Sequence, residues 1–381
     1  MSGLVTFDSK RQGAMSFEGV HELMRQAVSQ GVFPGGVLLV SRRGAIEDLF
    51  ACGLGNRFTQ RPVTVDTVFD LASLTKPLAT TLAVMRLVAG GRLALDQPLA
   101  SLLTVFEGTD KAAITVRQLL DHTAGLPDYR PFYVDLVRLP PAARRQSLLE
   151  AIARMPLASG PGRAELYSDP GFMVLGAAVE ALSGQRLDRF VGEALYAPLG
   201  LNGGGPPLCF VDLAAPTNFA DVAATEQCPW RRQLLEGVVH DDNAYALGGI
   251  AGHAGLFGSA RAVHMLLTVL WQAFCGDSPP TVLPAGVVQT FLRRGDGGRR
   301  PLGFDAPSQT ASSSGRYFSP ATVGHLGFTG TSFWLDLRQS IGVILLTNRV
   351  HPRRTNERIK RFRPQLHDAV METLAARPTA G

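Results

Sequence analysis

Between Phe17 and Ser29 the apolar residues Val20, Leu23, Met24 and Ala27 recur every three or four positions, the spacing of one helical face. Two apolar runs, Val37–Ser41 and Ala45–Ala51, flank the turn residues Arg42-Arg43-Gly44 and predict a hairpin. Helical spacing then dominates from about Ala72 to Leu201. Helices are expected over 73–89, 115–121, 141–154, 170–183 and 187–196, broken by Gly and Pro. The stretch 202–245 reads as loop-rich and carries Gly203-Gly204-Gly205-Pro206-Pro207. Helix returns at Ala260–Phe274. Strands at Thr331–Asp336 and Ile341–Thr347 bracket a turn near Arg338–Ser340, and a last helix is expected over Asn356–Ala375.

Helix and hairpin thus open the chain, and hairpin and helix close it. The expected class is α/β of the α+β type: an antiparallel sheet built from the N- and C-terminal segments, flanked by helices, plus a mostly helical domain. The corresponding division is a tail over 1–15, a first α/β part over 16–70, a mostly helical part over 71–239, and a second α/β part with the C-terminal helix over 240–381. No sustained β-α-β alternation supports a Rossmann fold or a TIM barrel.

Composition narrows the picture. The chain has 381 residues, 45% of them apolar and 18% charged, enough for a large core. No apolar stretch reaches the ~18 residues of a membrane span. The net charge is +5, and basic residues thicken at Arg349, Arg353, Arg354, Arg358, Lys360, Arg361 and Arg363. They read as a solvated face of the last helix rather than a nucleic-acid patch, since no nucleic-acid-binding motif accompanies them. Cys52, Cys209, Cys228 and Cys275 form no C-x-x-C pair and read as free thiols. Residues 1–15 hold no apolar targeting core, so a cytoplasmic location is expected. Of 37 basic residues only Lys10, Lys76, Lys111 and Lys360 are lysines.

Three segments carry candidate chemistry. In Phe69-Asp70-Leu71-Ala72-Ser73-Leu74-Thr75-Lys76-Pro77, Ser73 and Lys76 are three apart at a helix start and fall on one face. A serine hydroxyl needs a base, and a lysine among Leu71, Leu74, Leu78 and Leu82 can serve if its pKa falls. The second segment is Tyr167-Ser168-Asp169, before a helix with Leu175, Val179 and Leu182 on one stripe. A cleft tyrosine there can relay a proton to a leaving group if a nearby ammonium lowers its pKa. The third is Gly324-His325-Leu326-Gly327-Phe328-Thr329-Gly330-Thr331, where glycines let a substrate approach the backbone and an N–H could face an oxyanion. His122, His240 and His253 match no zinc spacing and are expected to fix loops. Motifs for nucleotides, metals and the G-x-S-x-G elbow are absent, and no cofactor is expected.

Together and in this order, the three segments resemble the serine β-lactamase and penicillin-binding-protein superfamily, and most closely the class C β-lactamase-related group of esterases and D-amino-acid peptidases. Leu119–Pro127, Val239–Ala244, Leu247–Phe257 and Leu346–Pro352 read the same way, and the resemblance covers about residues 17 to 372. It implies that Ser73 is the acylated nucleophile, Lys76 its base, and Tyr167 the proton shuttle. His325 and Gly327 then take the first and third places of the Lys-Thr-Gly strand motif, and the N–H groups of Ser73 and Phe328 form the oxyanion hole. Two departures stand out: His325 and Leu326 replace the motif's lysine and hydroxyl, and Asp169 replaces an asparagine, an anion expected to change amide recognition and to favour a charged Lys76. They move the expected substrate toward a small ester or amide. D-amino-acid peptidase, weak β-lactamase and a silent binding protein of the same fold are the other readings. The expected partner is a small-molecule substrate, and the oligomeric state is left open.

Overall fold

In the computed structural model, residues 16–201, 208–277, 282–295 and 298–376 are described. The tail over 1–15 and the Gly-Pro run at 203–207 lie outside them.

The strands in chain order are β1 (Gly35–Arg42), β2 (Ala45–Asn56), β3 (Arg61–Pro62), β4 (Phe69–Asp70), β5 (Leu208–Phe210), β6 (Ala224–Cys228), β7 (Gln233–Glu236), β8 (Leu256–Gly258), β9 (Thr322–Leu326), β10 (Ser332–Asp336) and β11 (Ile341–Thr347). The main sheet runs β3-β2-β1-β11-β10-β9, with β1 antiparallel to β11. The two terminal segments therefore meet in its middle, as the sequence pattern predicts.

The central strands are apolar on both faces because both faces are covered. Val37 and Leu39 of β1, with Ile344 and Leu346 of β11, join the large core shared with the helical region. Leu38 and Val40, with Val343 and Leu345, face the opposite way into a smaller core. The helices Glu18–Ser29 and Ile359–Ala375 cover that smaller core with Val20, Met24, Phe362 and Leu366.

On the other face a helical stretch runs from Ala72 to Ala89, and Pro141–Arg154, Asp169–Ser183, Leu187–Val191 and Ala260–Cys275 follow the expected periodicity. Gly176 and Gly252 pass so closely that a Cβ on either would strike the other's backbone, which packs the 248–258 loop against the Asp169–Ser183 helix. The loop-rich stretch 202–245 also holds a β6–β7 hairpin and the start of a helix at Asp242–Ala246. Two expectations need correction. The last helix begins at Ile359 rather than Asn356, whose side chain instead bonds the Gly31 and Val32 carbonyls. The basic cluster is not uniformly solvated, because Arg349 and Arg363 are buried. All four cysteines are free, and no helix among the described residues is long and apolar enough to cross a membrane.

Candidate active site

Short strand β4 pairs with β8, and Leu71 N–H continues the pairing to the Leu256 carbonyl. The chain then turns sharply. Ala72 takes φ 48°, a left-handed conformation that a side chain disfavours. Its N–H donates to Asp70 Oδ1 (2.8 Å), and Asp70 Oδ2 accepts from His240 N–H (2.6 Å). A buried carboxylate thereby fixes the bend that presents Ser73 at a helix start. Pro77 has no N–H for the Ser73 carbonyl and its ring crowds that carbonyl. The helix widens to a π-type turn over Lys76–Thr81 before becoming regular at Leu82.

The Lys76 side chain is fully buried. Its Nζ donates to Ser73 Oγ (3.1 Å), Asp169 Oδ1 (2.7 Å) and the His253 carbonyl (3.1 Å). The ammonium also lies 4.9 Å from the centre of the Tyr167 ring and 5.7 Å from that of Phe172. Burial favours the neutral amine, but the Asp169 carboxylate and Tyr167 outweigh it and hold Lys76 above its ordinary range. Lys76 is therefore an ammonium at rest. Burial among leucines does not lower this pKa, and the anion that the sequence places at Asp169 is the reason.

Asp169 begins the Asp169–Ser183 helix, where the helix dipole favours an anion. Ser168 caps this helix, its Oγ accepting from Gly171 N–H (3.2 Å) and donating to the Pro127 carbonyl (2.8 Å). His122, at φ 60°, accepts from Ser168 N–H through Nδ1 (3.1 Å), and its ring lies 4.7 Å from that of Tyr167. Burial keeps His122 well below the usual histidine range, so a neutral imidazole supports the Tyr167 loop. Tyr167 interacts with both Ser73 and Lys76, yet burial outweighs the ammonium and pushes the phenol up to about 12. The expected lowering of this pKa is thus reversed by desolvation.

The third segment is a hairpin. His325 sits on edge strand β9 opposite Phe333, buried, with Nδ1 donating to the Leu326 carbonyl (2.9 Å). Burial lowers its pKa, so it brings a neutral ring 6.0 Å from that of Tyr167. Gly327 opens the turn, and a Cβ there would collide with the Thr331 hydroxyl and the Leu71 carbonyl. Thr329 Oγ1 donates to the Asp70 carbonyl (2.7 Å) and Thr331 Oγ1 to the Leu71 carbonyl (3.0 Å). Among the described residues neither Ser73 N–H nor Phe328 N–H has a protein acceptor.

Ser73, Tyr167, Asp169, His325, Gly327 and Phe328 all line one cavity of about 650 Å³, with Lys76 beneath it. His253 and Asp241 pair at 2.8 Å, and the backbone of His240 holds Asp70, so these histidines act on loops. Sequence reasoning missed Asp70, Thr329 and Thr331 as parts of this site, and Arg349 and Arg363, which also line the cavity, whereas His122 fixes a loop as expected. Asp70, Thr329 and Thr331 lie inside the segments it singled out, but nothing in their spacing marks the contacts between segments.

An antiparallel sheet backed by helices, with a serine–lysine–tyrosine cavity beside its edge hairpin, is the architecture of the β-lactamase and penicillin-binding-protein fold. The chain belongs to the Beta-lactamase family, matched over residues 20–366, and is a hydrolase of that fold. It is 32% identical over 367 residues to an N-acetylmuramyl-L-alanine amidase of Bacillus subtilis, covering 87% of this chain and 80% of that one. It is 30% identical over 382 residues to a D-alanyl-D-alanine carboxypeptidase assignment in Escherichia coli K12, covering 91% and 86%. Among solved structures, EstCE1, a hydrolase with promiscuous acyltransferase activity, superposes with TM-score 0.74 at 24% identity, covering 93% of this chain and 97% of that one. The octameric penicillin-binding protein homologue from Pyrococcus abyssi superposes with TM-score 0.72 at 19% identity, covering 96% and 79%.

Proposed function

We propose that this protein hydrolyses a small ester or amide through an acyl-enzyme on Ser73. The observation that carries the reading is the 3.1 Å contact between Lys76 Nζ and Ser73 Oγ at the floor of the cavity. Lys76 must shed a proton before it can take one from Ser73, and Asp169 offers an acceptor 2.7 Å away. Ser73 Oγ then attacks the carbonyl carbon, and the N–H groups of Ser73 and Phe328 receive the oxyanion. Tyr167, protonated across the neutral range, donates toward the leaving group as the tetrahedral intermediate collapses. Water enters by the reverse path and frees the acid.

The names of the two curated relatives favour the amide end of this range. The neutral His325 and the apolar Leu326 withdraw the strand's usual hold on a substrate carboxylate, which favours substrates without one at that position. The test is mass spectrometry after a fluorophosphonate probe, followed by turnover of p-nitrophenyl butyrate, nitrocefin and a D-alanyl peptide. An adduct on Ser73 is expected. Folded protein that gains no adduct there would leave a silent binding protein as the better reading.

A further inference from the structure

The Ile359–Ala375 helix sends the Arg363 guanidinium into the wall of the cavity, and no carboxylate among the described residues meets it. Arg363 is 5% exposed. Burial pushes its pKa down to about 9, still cationic at neutral pH, and the neighbouring charge that acts on it is another cation, Arg349. Burying an uncompensated charge costs several kcal/mol, so the position calls for a reason. Its Nη2 donates to the Thr331 carbonyl (2.8 Å) and reaches the Gly327 carbonyl (3.5 Å), while Nε is buried with no partner among the described residues.

Those two carbonyls close the hairpin turn. Gly327 N–H donates to Thr331 O (2.7 Å), and Gly330 N–H donates to Gly327 O (3.1 Å). A trans peptide is planar and sets its C=O and N–H on opposite sides. Gly327 C=O and Phe328 N–H belong to the same peptide. With the carbonyl drawn toward Gly330 and Arg363, the N–H faces away from them.

We infer that Arg363 is a positioning residue for acyl transfer: it holds the Gly327–Phe328 peptide with its N–H turned to the cavity beside Ser73, and polarises that peptide into a stronger donor. The inference rests on the acyl-enzyme reading above. A charged donor strengthens its hydrogen bond, and bonds in series reinforce one another. A grip on a substrate carboxylate fits less well. Arg363 Nη2 is spent on the turn, and Arg349 Nη1 is spent on the Arg354 and Asn356 carbonyls (3.0 and 2.5 Å). The Arg349 guanidinium instead stacks 4.6 Å over the Phe328 ring.

The experiment compares the full chain with its Arg363→Met and Arg363→Lys variants. The substrates are p-nitrophenyl butyrate and the p-nitrophenyl monoester of glutaric acid, and phenylboronic acid serves as a tetrahedral mimic. Arg363→Met is expected to lower kcat about 10- to 100-fold on both esters, to weaken boronate binding in parallel, and to leave KM nearly unchanged. Arg363→Lys, which keeps the charge, is expected to recover part of kcat. A rise in KM confined to the glutarate ester would assign the arginine to a substrate carboxylate and overturn the inference. Unchanged kcat on both esters would overturn it too. Should the methionine variant fail to fold, the neutral Arg363→Gln variant decides: a kcat equal to that of the unaltered chain sinks the idea. Fluorophosphonate labelling of Ser73 in the unaltered chain keeps the two readings apart, since its absence defeats the acyl-enzyme reading rather than the role of Arg363.

Discussion

Lys76 Nζ lies 2.7 Å from the Asp169 carboxylate and 3.1 Å from the Ser73 hydroxyl, so one ammonium bridges a counter-ion and the hydroxyl it would deprotonate. The carboxylate holds Lys76 above its ordinary 10.5. Asp169→Asn removes that attraction and lowers the lysine pKa. The ascending limb of the pH–rate profile, carried by the neutral amine, is expected to move at least about one unit toward acid. A raised lysine stabilises the fold fully below its unfolded value and loses this contribution only as pH rises through the folded one. At pH 7 the variant is therefore expected to be less stable, by about 2 kcal/mol in urea unfolding. An unmoved limb would remove Asp169 from the proton path.

Tyr167 is expected to stay a phenol throughout the neutral range, because burial holds its pKa up to about 12. Tyr167→Phe should lower kcat about 100-fold and leave Ser73 open to a fluorophosphonate. Loss of labelling as well would place the tyrosine in attack on the carbonyl rather than in departure of the leaving group.

Thr329 and Thr331 tie the hairpin to the Asp70 and Leu71 carbonyls just before Ser73. Valine at either position has nearly the same shape and leaves a buried carbonyl without that donor. Each substitution is expected to cost about 1–2 kcal/mol of stability and to reduce kcat more than it raises KM. Steady-state kinetics at fixed pH read this directly, and a pure KM effect would contradict it.

Gly327→Ala places a methyl against the Thr331 hydroxyl and the Leu71 carbonyl. The turn must shift, taking Phe328 N–H with it. At least a tenfold loss of kcat/KM is expected, with a lower midpoint in thermal unfolding. An alanine variant of unaltered activity would show that this turn does not set the oxyanion geometry.

The sheet was legible because the continuous apolar runs at Val37–Ser41 and Ile341–Thr347 need both faces covered, and the two ends of the chain supply matching texture. The Ser73, Lys76 and Tyr167 segments were legible because each joins reactive side chains to a helix start. Their charge states were only half legible. The anion at Asp169, some ninety residues away in sequence and 2.7 Å away in space, signals a charged Lys76, but the burial that raises Tyr167 leaves no mark in the sequence. The fate of Arg363 was hidden for a related reason. In a run of exposed arginines it looks solvated, and only the packing of the last helix against the hairpin shows that it is buried.

The pairing of the first strand with the last also governs when the cavity can come into being. Val37 waits for Leu346, and such long-range pairing is slow to form. A ribosome that has delivered Ser73, Lys76 and Tyr167 has not yet delivered β9, β10 or the turn between them. The nascent chain thus carries Ser73, Lys76 and Tyr167 together while the residues from 168 to 327 are still being added, without the Phe328 N–H or the strap from Thr329 to Asp70. Only emergence of the final strands closes the pocket around the serine.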